Sequence, residues 1–220
     1  SSICCIAAFL DKEPESRKEK AVNIARSSGF KLQPLSINNS GSVWEISDDG
    51  ETLIQPLTAI KGLGDAAIKQ VIQNRPFVTI EEFLFNENIV YSKLNKKALD
   101  VLIRSSALEP LMDDRFTGAK HFWSAVAVDR PRKQKNLENN IETYAPEGDF
   151  SDEEKIQFTI NLTGEFPLDK VMNDEIRNKL SKMCVPPISE FDKDLMVTWF
   201  IPRKLIQKKT RAGKDYWILE

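Results

Sequence analysis

Two glycines flank one leucine in Ile60-Lys61-Gly62-Leu63-Gly64-Asp65-Ala66-Ala67-Ile68, and the residues behind them have the pattern of a helix. With no Cβ at either glycine, the backbone can turn sharply and a ligand can approach it closely. The first turn of the helix presents unpaired N–H groups and the positive end of a dipole. Such a corner suits a phosphate and reads as the hairpin of a helix-hairpin-helix. Lys61 and Lys69 supply charge, so the amides around Gly62, Leu63, Gly64 and Asp65 are expected to hold a nucleic-acid backbone. Contacts of this kind are indifferent to base identity. The plain alternative is a corner that only packs.

A second candidate lies near the chain end, where Lys208-Lys209-Thr210-Arg211-Ala212-Gly213-Lys214 precedes Tyr216 and Trp217. Basic loops beside aromatic strands hold single-stranded nucleic acid by phosphate attraction and base stacking. Lys208, Lys209, Arg211, Lys214 and Trp217 are the residues expected to do so. Strand alternation puts Tyr216 and Trp217 on opposite faces, so at most one of them is a stacking platform. A solvated turn with core-facing aromatics is the alternative.

Catalytic chemistry has little material. Cys4, Cys5 and Cys184 have neither metal-ligand spacing nor an even disulfide framework, and His121 is the single histidine. Asp48-Asp49, Asp113-Asp114 and Asp152-Glu153-Glu154 read as turn, exposed face and helix cap, so no metal site and no catalytic residue is expected. Net charge is −2, but its sign is uneven: six bases against one acid in 201–215, and seven acids with no base in 138–154. Cysteine usage suits a reducing, cytoplasmic setting. No membrane segment or signal peptide is visible, so no membrane partner is expected. The chain opens Ser1-Ser2-Ile3 without methionine and reads as part of something longer.

The elements that must position these residues are mostly helices. Residues 1–10 read as a helix tail. Ser16 with Glu19 predicts a capping box for a helix that stops at Gly29. Val43–Ile46 and Thr52–Ile54 predict a hairpin around Asp49-Gly50. Ala67, Ile68, Val71 and Ile72 mark the buried face of the helix behind the glycine corner, which Arg75-Pro76 ends. Thr79 with Glu82 caps a short helix, and Leu94, Ala98, Val101 and Leu102 give Asn95–Ser105 an amphipathic one. Helix is expected over about 112–128, a polar linker over 130–150, and further helices from Ser151 to Gly164 and Asp174 to Met183. Leu195–Ile201 and Tyr216–Leu219 read as strands, too few to close a barrel.

Taken in order, these stretches resemble the C-family replicative DNA polymerases, the DNA polymerase III alpha subunits. Leu32-Gln33-Pro34-Leu35-Ser36-Ile37-Asn38-Asn39-Ser40 is similar to the segment that follows the family's fingers. Leu57-Thr58-Ala59-Ile60-Lys61-Gly62-Leu63-Gly64 and Asn74-Arg75-Pro76-Phe77 are similar to its helix-hairpin-helix. Leu94-Asn95-Lys96-Lys97-Ala98-Leu99 through Ala107 resembles the second half of that duplicated element. Asn161-Leu162-Thr163-Gly164-Glu165-Phe166-Pro167-Leu168 resembles the box before the family's oligonucleotide-binding (OB) barrel, and Lys209–Lys214 that barrel's lysine-rich turn. Ser106-Ala107 stand where the family has a Gly-Ala pair, the histidine of the later box is missing, and Trp199-Phe200 fall where a glycine is common. Such divergence suits a phage-encoded or otherwise remote member.

The resemblance implies a mainly α fold with a small β part, a helix-hairpin-helix DNA-binding module followed by a partial OB-type β-barrel. Its divisions would be an end-of-fingers segment with a hairpin over 1–56, the helix-hairpin-helix over 57–128, an acidic linker over 129–150, a helical connector over 151–190 and an incomplete OB-fold over 191–220. It implies duplex DNA, single-stranded template and the remaining polymerase segments as partners. Of the family's sliding-clamp motif only Gln134-Lys135-Asn136-Leu137-Glu138 is present, with an acid in the aromatic place, so a sliding clamp is the weakest of the implied partners. By the same resemblance the nucleotidyltransferase centre and its Mg²⁺ lie outside this chain, and the fragment is non-catalytic by itself. A non-catalytic helix-hairpin-helix adaptor of DNA repair or recombination is the alternative function.

Overall fold

The computed structural model describes residues 2–190, 197–202 and 205–219. They form two compact units, residues 1–167 and 168–220. The expected class holds: the chain is mainly helical with a small β part.

In the first unit, α1 (Ser2–Lys12) and α2 (Glu15–Ser27) pack with Trp44 and Leu53 into a small core of their own. Pro14 is the N-cap of α2, not Ser16. A fixed φ makes proline compatible with a helix start, and Ser16 falls inside the first turn. The Ser16 and Glu19 side chains lie outside the described residues. Gly29 closes α2 as expected: its N–H reaches Arg26, and that of Phe30 reaches Ala25. The predicted hairpin is β2 (Glu45–Ile46) against β3 (Thr52–Ile54), and β1 (Lys31–Gln33) joins β3 in parallel to give the order β1-β3-β2.

The main core gathers α3 (Asp65–Asn74), α4 (Ile80–Leu84) and α5 (Lys96–Arg104) around Ile68, Val71, Phe83, Leu99 and Leu102. Thr79 and Glu82 form the predicted capping box, and Asn95 caps α5. The loop from Ser36 to Ser40 locks onto this core through a reciprocal pair: Asn38 Nδ2 donates to the Phe77 carbonyl at 2.7 Å, and Phe77 N–H donates to Asn38 Oδ1 at 2.8 Å. Helix over 112–128 forms only from α6 (Ala119–Trp123), continued by a π-type turn over Ser124–Val128. Ahead of α6, Asp113 and Thr117 are engaged otherwise. Arg115 pairs with Asp113 and Glu81. Thr117 N–H donates to His121 Nδ1 at 3.0 Å, and His121 Nε2–H then donates to the Ile141 carbonyl at 2.8 Å. The lone histidine is thus a buried structural strut.

Residues 129–150 are not a simple linker. They carry α7 (Gln134–Tyr144), with Leu137 fully buried and the Asn140 amide donating to the carbonyls of Ala125 and Asp129 at 3.0 and 2.6 Å. A polar composition hid one stripe, Leu137, Ile141 and Tyr144, at i, i+4 and i+7. Gln134–Glu138 is therefore helical with its leucine in the core, and no extended clamp peptide is presented there. Then α8 (Asp152–Thr163) runs from the predicted Ser151/Glu154 capping box to Gly164. Phe158 of α8 packs against Phe150 and lies under the Arg104 guanidinium, which ties α8 to α5.

The second unit holds α9 (Leu168–Val171), α10 (Asp174–Lys182) and a two-stranded antiparallel ribbon, β4 (Leu205–Lys209) with β5 (Asp215–Leu219). This open ribbon fits a partial barrel. The strand expected over Leu195–Ile201 is absent from its described part, and Leu195 and Met196 lie outside the described residues. Trp199 makes only an isolated bridge to Pro187, its N–H donating to the Pro186 carbonyl and its carbonyl accepting from Ile188. Pro202 follows, and it has no N–H to extend a ladder.

Candidate nucleic-acid interface

The glycine corner forms as a sharp bend between a 3₁₀ turn (Leu57–Ala59) and α3. Ile60 and Leu63 are buried and anchor it from below, while Lys61, Gly62, Gly64 and Asp65 are exposed. Two amides are used in building it: Lys61 N–H donates to the Leu162 carbonyl of α8 at 2.8 Å, and Leu63 N–H to the Ile60 carbonyl at 3.2 Å. Among the described residues, the N–H groups of Gly62, Gly64, Asp65 and Ala66 have no hydrogen-bond acceptor. The corner therefore leaves free donors on its solvent side, the property an anion needs.

The two glycines do different things. Gly62 has φ +87°, a conformation that L side chains rarely adopt, though there is room for a Cβ beside it. Gly64 has φ −79°, which any residue adopts, and a Cβ there would meet nothing within 4 Å. Gly62 makes the bend; Gly64 leaves the approach to the helix N-terminus open. Asp65 places a carboxylate in the first turn, where it complements the dipole and opposes an incoming anion. What Asp65 offers a phosphate is its amide.

The cations are distributed differently from the expectation. Lys61 and Lys69 are exposed but line two separate hollows that share Thr58, one with Asp11 and Trp44, the other with Asp65 and Gln73. The lysine that the fold brings against Gly62 is Lys97 of α5, whose Cε would lie 3.7 Å from a Cβ at Gly62. Among the described residues Lys97 makes no ion pair. Residue spacing alone did not single it out, because it stands more than 30 positions along the chain. The Lys96-Lys97 pair behind the Asn95 cap was the available signal. Leu162, whose carbonyl holds the corner, was likewise unmarked except as part of the Asn161–Gly164 stretch.

The bend that follows α5 is built differently. Ser106 has φ +65° and its N–H donates to Ile103, while Ala107 is fully buried and its carbonyl accepts from Ile37. Arg104 just before it is paired with Asp100 at 2.5 Å, and Trp123 Nε1 donates to the same carboxylate at 2.7 Å. Burial alone would raise the Asp100 pKa, but these hydrogen bonds outweigh it and hold the group below its ordinary value.

In the ribbon, cross-strand register decides which residues meet. Lys208 stands opposite Tyr216, Gln207 opposite Trp217, and Lys209 opposite Asp215. Tyr216 and Trp217 lie on opposite faces and both are exposed. The face with a cation beside an aromatic is that of Lys208 and Tyr216. Trp217 shares its face with the oppositely charged pair Lys209 and Asp215. The turn, with Arg211, Lys214 and a left-handed Gly213, is closed by Thr210 N–H to the Lys214 carbonyl at 2.8 Å.

Comparisons with known proteins agree with this geometry. A family model described as a helix-hairpin-helix motif matches residues 29–118. DNA polymerase III subunit alpha of Pseudomonas aeruginosa is 28% identical over 131 residues, 57% of this chain and 11% of that protein. The subunit from Thermus aquaticus is 29% identical over 114 residues, 49% of this chain and 9% of its own length. That from Xylella fastidiosa is 24% identical over 161 residues, 69% of this chain and 13% of its length. The chain thus spans about a tenth of the relatives it matches. Among the described residues no helix is long and apolar enough to cross a membrane. With a helix-hairpin-helix motif and these matches, the chain is similar to one segment of the bacterial DNA polymerase III alpha subunit.

Proposed function

We propose that this chain is a DNA-holding segment of a replicative DNA polymerase, gripping the backbone of duplex product through the corner at Lys61, Gly62, Leu63, Gly64 and Asp65. The observation that carries the reading is the set of four acceptor-free amides at an exposed bend, with Lys61 and Lys97 beside it. On this reading the ribbon guides single-stranded template, through Lys208 with Tyr216 on one face, Trp217 on the other, and Arg211 and Lys214 in the turn. Lys69 adds long-range attraction. The partners are duplex DNA, template strand and the remaining segments of the polymerase.

The parent reaction is template-directed addition of deoxynucleotides to a primer end, a reaction of the kind that Mg²⁺ ions assist. The residues described do not fit that ion: no group of three or more His, Cys, Asp or Glu is placed to hold a metal among them. By the resemblance, the reactive centre belongs to other segments of the parent polymerase.

Fluorescence anisotropy with a labelled 20-bp duplex tests the assignment. Binding is expected to weaken steeply with salt and to be insensitive to sequence, and Lys61→Glu is expected to weaken it about tenfold or more, with a shallower salt slope. Salt-independent binding, or an unchanged Lys61→Glu variant, would leave the corner as packing only.

A further inference from the structure

A second cationic surface lies beyond the corner. Residues 91–97 and 128–135 are far apart in sequence and together hold seven bases against the single acid Asp129. The fold brings them into contact. Lys96 Nζ donates to the Val128 carbonyl at 2.7 Å. Arg130 is buried, donates through Nη1 to the carbonyls of Tyr91 (3.0 Å) and Leu94, and stacks 3.7 Å from the Tyr91 ring centroid. Arg132 stands 4.8 Å from the same ring. Lys93 lies in sequence between the two residues whose carbonyls Arg130 holds and is exposed, as are Arg132 and Tyr91. Glu81 approaches this stretch through Gln134, but it is already paired with Arg115. Burial lowers the Arg130 pKa, with Tyr91 opposing the shift and Arg132 adding to it.

Folded proteins disperse like charges unless something neutralises them. This set extends toward the corner, because Lys97 of the same 91–97 stretch stands where a Cβ at Gly62 would meet it. We propose that the Tyr91–Arg132 surface, with Lys93 and Lys97, is a second docking site for the duplex backbone, engaging phosphates further along the DNA held at Gly62–Gly64. The inference rests on the corner being a DNA contact. Duplex is favoured over an acidic protein segment because the seven bases complement a phosphate rail and their 91–97 stretch reaches the corner assigned above to duplex DNA. Phosphate contacts of this kind add affinity without sequence preference.

The test uses the whole 220-residue chain and anisotropy on 10-bp and 20-bp duplexes over a salt series. Arg130 is left intact because it is part of the packing. Lys93→Glu/Arg132→Glu is expected to weaken binding to the 20-bp duplex about tenfold and to flatten the log–log salt slope by about 2, with a smaller effect on the 10-bp duplex. Lys93→Arg/Arg132→Lys is expected to retain wild-type binding, and thermal melting shows whether each variant is folded. A folded charge-reversed variant that binds the 20-bp duplex with unchanged affinity and slope overturns the inference, as does an equal loss on both lengths. If that variant is silent while Lys61→Glu weakens binding, only the second site fails. If neither matters, the corner fails as well.

Discussion

The bends at Gly62 and Ser106 differ more than their shared backbone conformation suggests. Both carry a residue at positive φ, Gly62 at +87° and Ser106 at +65°. Around Gly62 four amides have no acceptor among the described residues, the surface is open, and Lys97 stands beside the bend without an ion pair among those residues. Around the exposed Ser106 the backbone is engaged by Ile103, Glu109 and Ile37, Ala107 is buried, and the nearby Arg104 is paired with Asp100. One bend leaves its amides open to solvent, and the other ties its peptide groups to neighbouring segments.

Five substitutions test this contrast between the bends. The largest effect is expected from Leu102→Ala, on the helix that touches one bend and leads into the other. Truncating this fully buried leucine should cost about 2–5 kcal/mol in urea unfolding, still as one transition. Two separate transitions would mean that α5 does not couple the bends. Next, Gly62→Ala should cost about 1–2 kcal/mol, because the conformation is strained even where space exists. Gly64→Ala should cost less than about 1 kcal/mol, yet weaken duplex binding by putting a methyl group over the free amides. Equal stability losses at the two positions would show that they do not divide the work as described.

Ser106→Gly should raise stability by about 0.5–1 kcal/mol and leave duplex affinity unchanged, since it relieves a left-handed serine at a bend that holds no ligand. Improved DNA binding would make the second bend a DNA contact after all. The smallest effect concerns Asp100, whose folded pKa lies below its ordinary value. Its contribution is complete above about pH 4 and drains away as the pH falls through the folded value. Thermal melts from pH 5 to pH 3 should show the wild type losing about 2 °C more than Asp100→Asn. Identical profiles would show that the carboxylate does not steady this end of α5.

Much of the local structure was legible because it is set by near neighbours. The Thr79/Glu82 and Ser151/Glu154 capping boxes, the Gly29 stop and the amphipathic spacing of α5 all formed as read. Misreadings came where long-range packing overrode composition. α7 looked like a linker because only Leu137, Ile141 and Tyr144 interrupt its polar residues, and their value depends on a core supplied by other helices. The strand expected before Pro202 failed because Trp199 found its partners in the 186–188 segment.

The same division runs through the candidate interface. The residue string by itself determined that a glycine-bounded bend opens α3, that a basic turn precedes two aromatics, and that catalytic groups are scarce, since these follow from residue type and short spacing. Tertiary structure alone decided which amides stay free, that Leu162 holds the bend, that Lys97 rather than Lys69 stands beside Gly62, and that Arg132 meets Tyr91. The reason is physical. Backbone conformation answers to neighbours a few residues away, whereas charge and hydrogen-bond availability at a surface depend on which distant segments the core draws together.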